Sequence, residues 1–166
     1  MPRVHHVKKA RKERPQCGVA VGDSYYHWSF RLGSRSSTRC SKKYPRASQL
    51  TLSEFWIEAY SLIEAVEDGQ PYEAEEDLEA AKQELRDGID ALRDDTVAKR
   101  DAMPENLQDS PTAELLEARI DALEQWDQEV DGIEVPAEED FEDRTDFLVA
   151  LENAATELAE AGPNCD

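Results

Sequence analysis

Apolar and polar positions alternate along residues 24–32, SYYHWSFRL. On an extended chain this puts Tyr26, Trp28, Phe30 and Leu32 on one face and Tyr25, His27, Ser29 and Arg31 on the other. The next residues, GSRS at 33–36, predict a turn, and STRCSKKY at 37–44 predicts the return strand, closed by Pro45. Thr38 and Cys40 then share one face, and Arg39 and Ser41 the other. A lone hairpin is marginal in water, so Trp28 and Phe30 need a further strand or a helix against them. Upstream, Val4, Val7 and Ala10 are too few to define a packed helix, and residues 1–16 read as a flexible or partly helical arm.

After Pro45 the period changes. LTLSEFW at 50–56 combines Thr51 as cap, Glu54 as its capping-box partner, and a staple from Leu50 to Phe55. That helix runs to about Asp68 and stops at DGQP, with Phe55, Ala59, Leu62, Ile63 and Val66 on a face suited to cover the hairpin. From about residue 72, Leu78, Ala81, Leu85, Ile89 and Leu92 recur at helical spacing. Gly88 interrupts them, at a cost of about 1 kcal/mol relative to alanine, and allows bending. Pro104 ends that helix, and Ser110-Pro111 opens another, whose stripe is Leu116, Ile120, Leu123 and Val130, with Leu115, Arg119 and Trp126 beside it. The final helix presents Phe147, Leu148, Leu151, Ala155 and Leu158, and ends at Gly162 and Pro163.

The expected architecture is therefore mainly α. A small N-terminal basic β-hairpin module is followed by an acidic antiparallel helical hairpin or bundle. The expected divisions are a basic arm at 1–16, the hairpin with its covering helix at 17–70, and an acidic helical region at 71–166. Two helices bury little alone, so the remaining stripe must meet the other helices or a second copy of the chain, as in a homodimer.

Charge sharpens this division. The chain has 166 residues and a net charge of −19. Residues 1–47 hold 12 lysines and arginines against 2 acidic residues; the remainder holds 7 against 36. Two physically different surfaces on one chain are implied. There is no apolar run long enough for a membrane span, and the basic N-terminus lacks the apolar stretch of a secretion signal, so a cytoplasmic location is expected. Three cysteines, Cys17, Cys40 and Cys165, make no disulfide framework, and reduced thiols suit that location.

Little catalytic chemistry is encoded. Carboxylates crowd the acidic region too densely for any pair to stand out. The serines at 24, 29, 34, 36, 37 and 41 lie in no nucleophile elbow, and no glycine-rich loop precedes a helix as a phosphate cradle. A zinc site at Cys17 and Cys40 with His5 or His6 lacks the paired spacing such sites show. The expectation is a protein that is not an enzyme, with no catalytic residues, no metal and no cofactor.

The basic module carries the functional signal. Lys8, Lys9, Arg11, Lys12 and Arg14 form one cluster; Arg31, Arg35, Arg39, Lys42, Lys43 and Arg46 form another around the hairpin. Cations neutralise phosphates, and aromatics among them stack bases. Tyr26, Trp28 and Phe30 are assigned to the core, leaving Tyr25, His27 and Arg31 to face a nucleic acid. The competing reading pairs these cations with the chain's own acidic helices or those of another copy. The acidic helices offer a second function, as an interaction surface for a host or phage protein, including imitation of a phosphate backbone.

The segments KKARKERP, GDSYYHWSFRLG, RASQLTLSEFW and AMPENLQDSPTAELLEARIDALEQW resemble small proteins encoded by tailed phages, over roughly residues 7–130. The resemblance implies a viral or prophage origin, hence a host-cell cytoplasm, and assigns no catalytic residue. The order of elements is also similar to the three-stranded DNA-reading sheets of phage integrase arm-binding domains, without any integrase catalytic motif. The expected function is a non-catalytic, phage-encoded nucleic-acid or nucleoprotein binding protein. The alternatives are an acidic interaction protein acting as a mimic or host-protein inhibitor, and a virion or assembly component.

Overall fold

A computed structural model describes residues 1–164, and the backbone alone of Leu32. Expectations for Cys165 and for the Leu32 side chain lie outside it. The described chain is mainly helical, with a three-stranded antiparallel sheet at its N-terminus. It divides into two compact units, Met1–Ile57 and Glu58–Asp166.

In the first unit the strands are β1 (His5–Val7), β2 (Tyr25–Leu32) and β3 (Arg35–Ser41), in the order β1-β2-β3. The hairpin is tighter than GSRS implied. Leu32 pairs with Arg35, so the turn is Gly33-Ser34, and Gly33 takes a positive φ of 62°, where a II′ turn favours glycine. The expected free arm is instead part of the sheet: His5, His6 and Val7 pair with His27, Tyr26 and Tyr25. This third strand is what the marginal hairpin required.

Both faces of β2 are used. On one, Trp28, Phe30 and Leu50 are buried together with Val4 against them. Leu50 ends a short 3-10 turn at Ala47–Leu50, and the Trp28 indole N–H donates to the Gln49 carbonyl in that turn at 3.0 Å. On the other face lie Ala10, Val19 and Tyr25, packed with Val7, Cys17 and Cys40. Residues 10–23 fold over this face. Ala10 and Gly22–Asp23 exchange backbone bonds of 2.8 and 2.9 Å, and Arg14 bridges Val19 around the turn at Pro15–Cys17.

The helices are α1 (Glu54–Gly69), α2 (Glu75–Asp101), α3 (Pro111–Gly132) and α4 (Arg144–Glu160). The capping of α1 differs from the expected box. Ser53 precedes the first helical residue and its carbonyl accepts from Ile57 N–H at 2.9 Å, while the Thr51 hydroxyl accepts from Ser53 N–H at 3.2 Å. Thr51 thus orders the approach to the helix and Ser53 occupies the cap position. Ser110 does cap α3, its Oγ accepting from Ala113 N–H at 3.3 Å ahead of Pro111. Asp143 caps α4 through Thr145 N–H at 2.7 Å, and this bond holds its carboxyl below the usual aspartate range.

In the second unit most of each predicted stripe is buried, with Ala81, Leu116 and Leu148 half-buried, Leu115 exposed, and Trp126, expected beside the stripe, fully buried. Leu78, Leu85, Ile89 and Leu92 of α2 join Ile120, Leu123, Trp126 and Val130 of α3, and Phe147, Leu151, Ala155 and Leu158 of α4. α2 packs along α3 and touches α4. Gly88 faces α1: a Cβ there would meet the end of the Leu62 side chain. Arg86 on α2 grips α3, with Nε on Asp127 at 2.9 Å and Nη1 on Asp131 at 2.6 Å. One turn earlier, the Lys82 ammonium donates to the Asp131 and Ile133 carbonyls at 2.9 and 2.7 Å. A cation on the open carbonyls ending α3 satisfies groups that have no partner within the helix and opposes its dipole.

Candidate nucleic-acid interface

The hairpin's outer half is open. Ser29, Arg31 and, on β3, Arg35, Ser36, Ser37, Thr38 and Arg39 are all exposed. The register puts Ser29 across from Thr38 and Arg31 across from Ser36, so these four share one polar face, with a 2.9 Å hydroxyl contact between Ser29 and Thr38. The opposite face carries Arg35, Ser37 and Arg39 on β3, with the Arg39 guanidinium 5.3 Å from the centre of the Phe30 ring. A guanidinium resting on a ring face keeps its outward edge for a further acceptor.

Lys8, Lys9, Arg11, Lys12 and Lys43 are exposed as well. Among the described residues, no ion pair is found for these five or for Arg31 and Arg35. Lys42 differs. Its ammonium lies 2.9 Å from the Asp23 carboxylate. Asp23 also accepts from Ala20 N–H at 3.0 Å, and these bonds, that from Lys42 first, hold its pKa below the usual aspartate range. Arg46 has its own partners within the chain, and its backbone N–H donates to Gln49 Oε1 at 3.2 Å.

Two of the expected contact residues stand elsewhere. Tyr25, assigned to face a ligand, is only 5% exposed, because residues 10–23 close over its side of the sheet. Arg14 lies over the Tyr25 ring at 5.1 Å. His27, on the same face, is half-buried and stacks on His5 with ring centres 5.1 Å apart. Burial first, then the neighbouring His5 and Arg14, hold the His27 imidazole below its ordinary pKa.

This shift has a measurable consequence. The unfolded chain binds the proton near pH 6.5 while the folded chain resists it, so stability is fully present above that value and falls as the pH drops below it. Hydrogen exchange of the β2 amides, corrected for intrinsic rates, is expected to show less protection at pH 5 than at pH 7, with the loss reduced in His27→Gln. Equal protection at both pH values would reject the assignment.

The cysteine expectation is corrected. Cys17 and Cys40 are joined as a disulfide, with Cα atoms 5.7 Å apart, within the normal range for such a link. It ties the turn at Pro15–Cys17 to β3. The link removes the argument from free thiols at these two positions, and a bonded pair does not ligate zinc as thiolates. His5 and His6 point to opposite faces, as their pairing with His27 and Tyr26 requires. Among the described residues, no three His, Cys, Asp or Glu side chains gather to hold a metal ion.

One feature was hidden in the sequence. His6 stacks on Tyr26 at 4.7 Å, and Tyr44 meets the same ring edge-on at 5.4 Å. The cluster stays outside the core, with Tyr44 64% exposed. Its assembly depends on the unanticipated β1 pairing; the visible signal was only that Tyr44 follows Lys42 and Lys43 directly.

Compared with protein-family models, curated proteins and solved structures, the chain matches none of them. Among the described residues, no helix is long and apolar enough to cross a membrane.

Proposed function

We propose that the chain is a non-catalytic nucleic-acid-binding protein whose contact surface is the N-terminal sheet unit. One observation carries this reading: Arg31, Arg35 and Lys43 are exposed around the hairpin with no ion pair to a carboxylate among the described residues, alongside Lys8, Lys9, Arg11 and Lys12. Exposed cations that the fold does not neutralise gain most from phosphates, through release of condensed counterions. Serine and threonine hydroxyls beside them add neutral donors for phosphate or sugar. The resemblance to tailed-phage proteins supports a viral origin and a host-cell setting.

The helical unit takes the complementary role of recruiting a protein or a second copy. Its few cations are largely engaged within the unit: Lys82, Arg86, Arg93, Lys99, Arg100 and Arg144 all bond carbonyls or carboxylates. The net acidity is left to the exterior, which supports an acidic interaction surface and, as the second reading, a mimic of a phosphate backbone.

Titrating the full-length chain with labelled oligonucleotides at rising salt tests the reading. The logarithm of affinity is expected to fall linearly with the logarithm of salt. Combined Arg31→Gln, Arg35→Gln and Lys43→Gln should reduce that slope by about two to three units. Lys42→Gln alone should change it less than Lys43→Gln, because Asp23 already neutralises Lys42. A salt-independent affinity would reject phosphate contact.

A further inference from the structure

The nucleic-acid reading leaves open whether the ligand is paired, and the aromatic cluster bears on this. Tyr44 presents a largely open ring just beyond β3, next to the exposed Lys43. The ring is positioned from behind: its edge contact is with Tyr26, and Tyr26 is itself held by the stacked His6. Tyr26 sits across from Ser41, Trp28 from Arg39, Phe30 from Ser37 and Leu32 from Arg35. The cluster therefore lies on the same side of the sheet as a row that runs along β3 through Ser41, Arg39, Ser37 and Arg35 to the hairpin tip. Three strand residues separate the two arginines, and the four steps between them span about 13 Å of extended chain.

From this juxtaposition we propose that the sheet unit binds single-stranded nucleic acid. One base stacks on Tyr44, and the adjoining backbone follows β3 past Arg39 to Arg35. An unpaired strand is the form that fits. Within a duplex each base has its faces covered by its neighbours, so an outlying ring finds nothing to stack on; an unpaired base offers a free π-face. The inference rests on the nucleic-acid reading above and adds the strandedness of the ligand and the ring that recognises it.

Fluorescence anisotropy of the full-length protein tests it, with labelled oligothymidylate, oligouridylate and a duplex of equal length as probes at several salt concentrations. Both single strands are expected to bind about tenfold or more tighter than the duplex. Tyr44→Ala should weaken single-strand binding about tenfold and leave the salt slope unchanged, because a stacked base is lost and no phosphate contact is. Tyr44→Phe, which keeps the ring, should bind like the parent. Circular dichroism of the two variants, expected to match the parent, separates lost binding from lost folding. Duplex binding as tight as single-strand binding, or Tyr44→Ala binding as well as the parent, overturns the inference. A salt slope reduced by Arg35→Gln and Arg39→Gln would, in that event, still uphold nucleic-acid binding. Absence of salt-dependent binding to all three probes overturns both.

Discussion

Trp126→Ala is expected to lower the unfolding free energy of the helical unit by about 3–5 kcal/mol. Trp126 is the largest fully buried side chain, at 0% exposure, and it lies on α3 between the buried Leu123 and Val130. Truncation removes the whole indole from a core made by α2, α3 and α4, and helices fixed by their other contacts cannot close the resulting void. Trp126→Phe separates packing from hydrogen bonding. The buried indole Nε1 has no hydrogen-bond partner among the described residues, so phenylalanine loses contact area and leaves no acceptor orphaned. Its cost should be about 1–2 kcal/mol, typical of a modest loss of core volume. Trp28 gives the contrast: its N–H serves the Gln49 carbonyl, and Trp28→Phe strands that acceptor. Urea unfolding followed at the helical circular dichroism band measures the first pair. Equal losses for Trp126→Phe and Trp126→Ala would mean that the indole N–H is engaged after all.

The second large effect belongs to the sheet unit. The Cys17–Cys40 link spans 23 residues of sequence. Closing a loop of that length restricts the unfolded chain by about 3 kcal/mol in the chain-entropy account. Cys17→Ala with Cys40→Ala, or treatment with a dithiol reductant, should reduce protection of the β2 and β3 amides in hydrogen exchange by about that amount. Residues 10–23 should loosen most, since they cover Tyr25 by way of this link. The amides of α2 and α3 serve as the internal control and should not change. Unaltered exchange in β2 under reductant would show that the link contributes nothing to the fold.

The helices were legible because each advertises itself locally. Leucines and isoleucines three and four apart on α2 and α3 became the core, and Ser110-Pro111 marked the start of α3 within its own four residues. The hairpin was legible for the same reason, through alternation along residues 25–32 and a glycine at the turn. Most of the failures share a cause: they depend on residues distant in sequence. His5–Val7 has no alternation to show and becomes a strand only by pairing with β2, some twenty residues on. Tyr25 was read as outward because alternation allots it to the second face of β2, but nothing local reveals that residues 10–23 fold back over that face. The Cys17–Cys40 pair was lost in a count of three, since an odd number says nothing about which two meet. At α1, Thr51 and Ser53 are both good caps, and only the hydrogen bonds distinguish their roles. For the candidate interface, residue type picked out the exposed cations as a group. It could not tell Lys42, held by Asp23, from its neighbour Lys43.

Gly88 bears on how this protein would respond to engineering. Replacing a mid-helix glycine by alanine is a routine stabilising edit, because the unfolded chain then has less freedom to lose. At this position the added methyl would meet the end of the Leu62 side chain, so the usual benefit would be opposed by the cost of moving that side chain. A sequence-only optimisation of α2 would choose this edit early, and its outcome turns on whether the end of the Leu62 side chain can move aside.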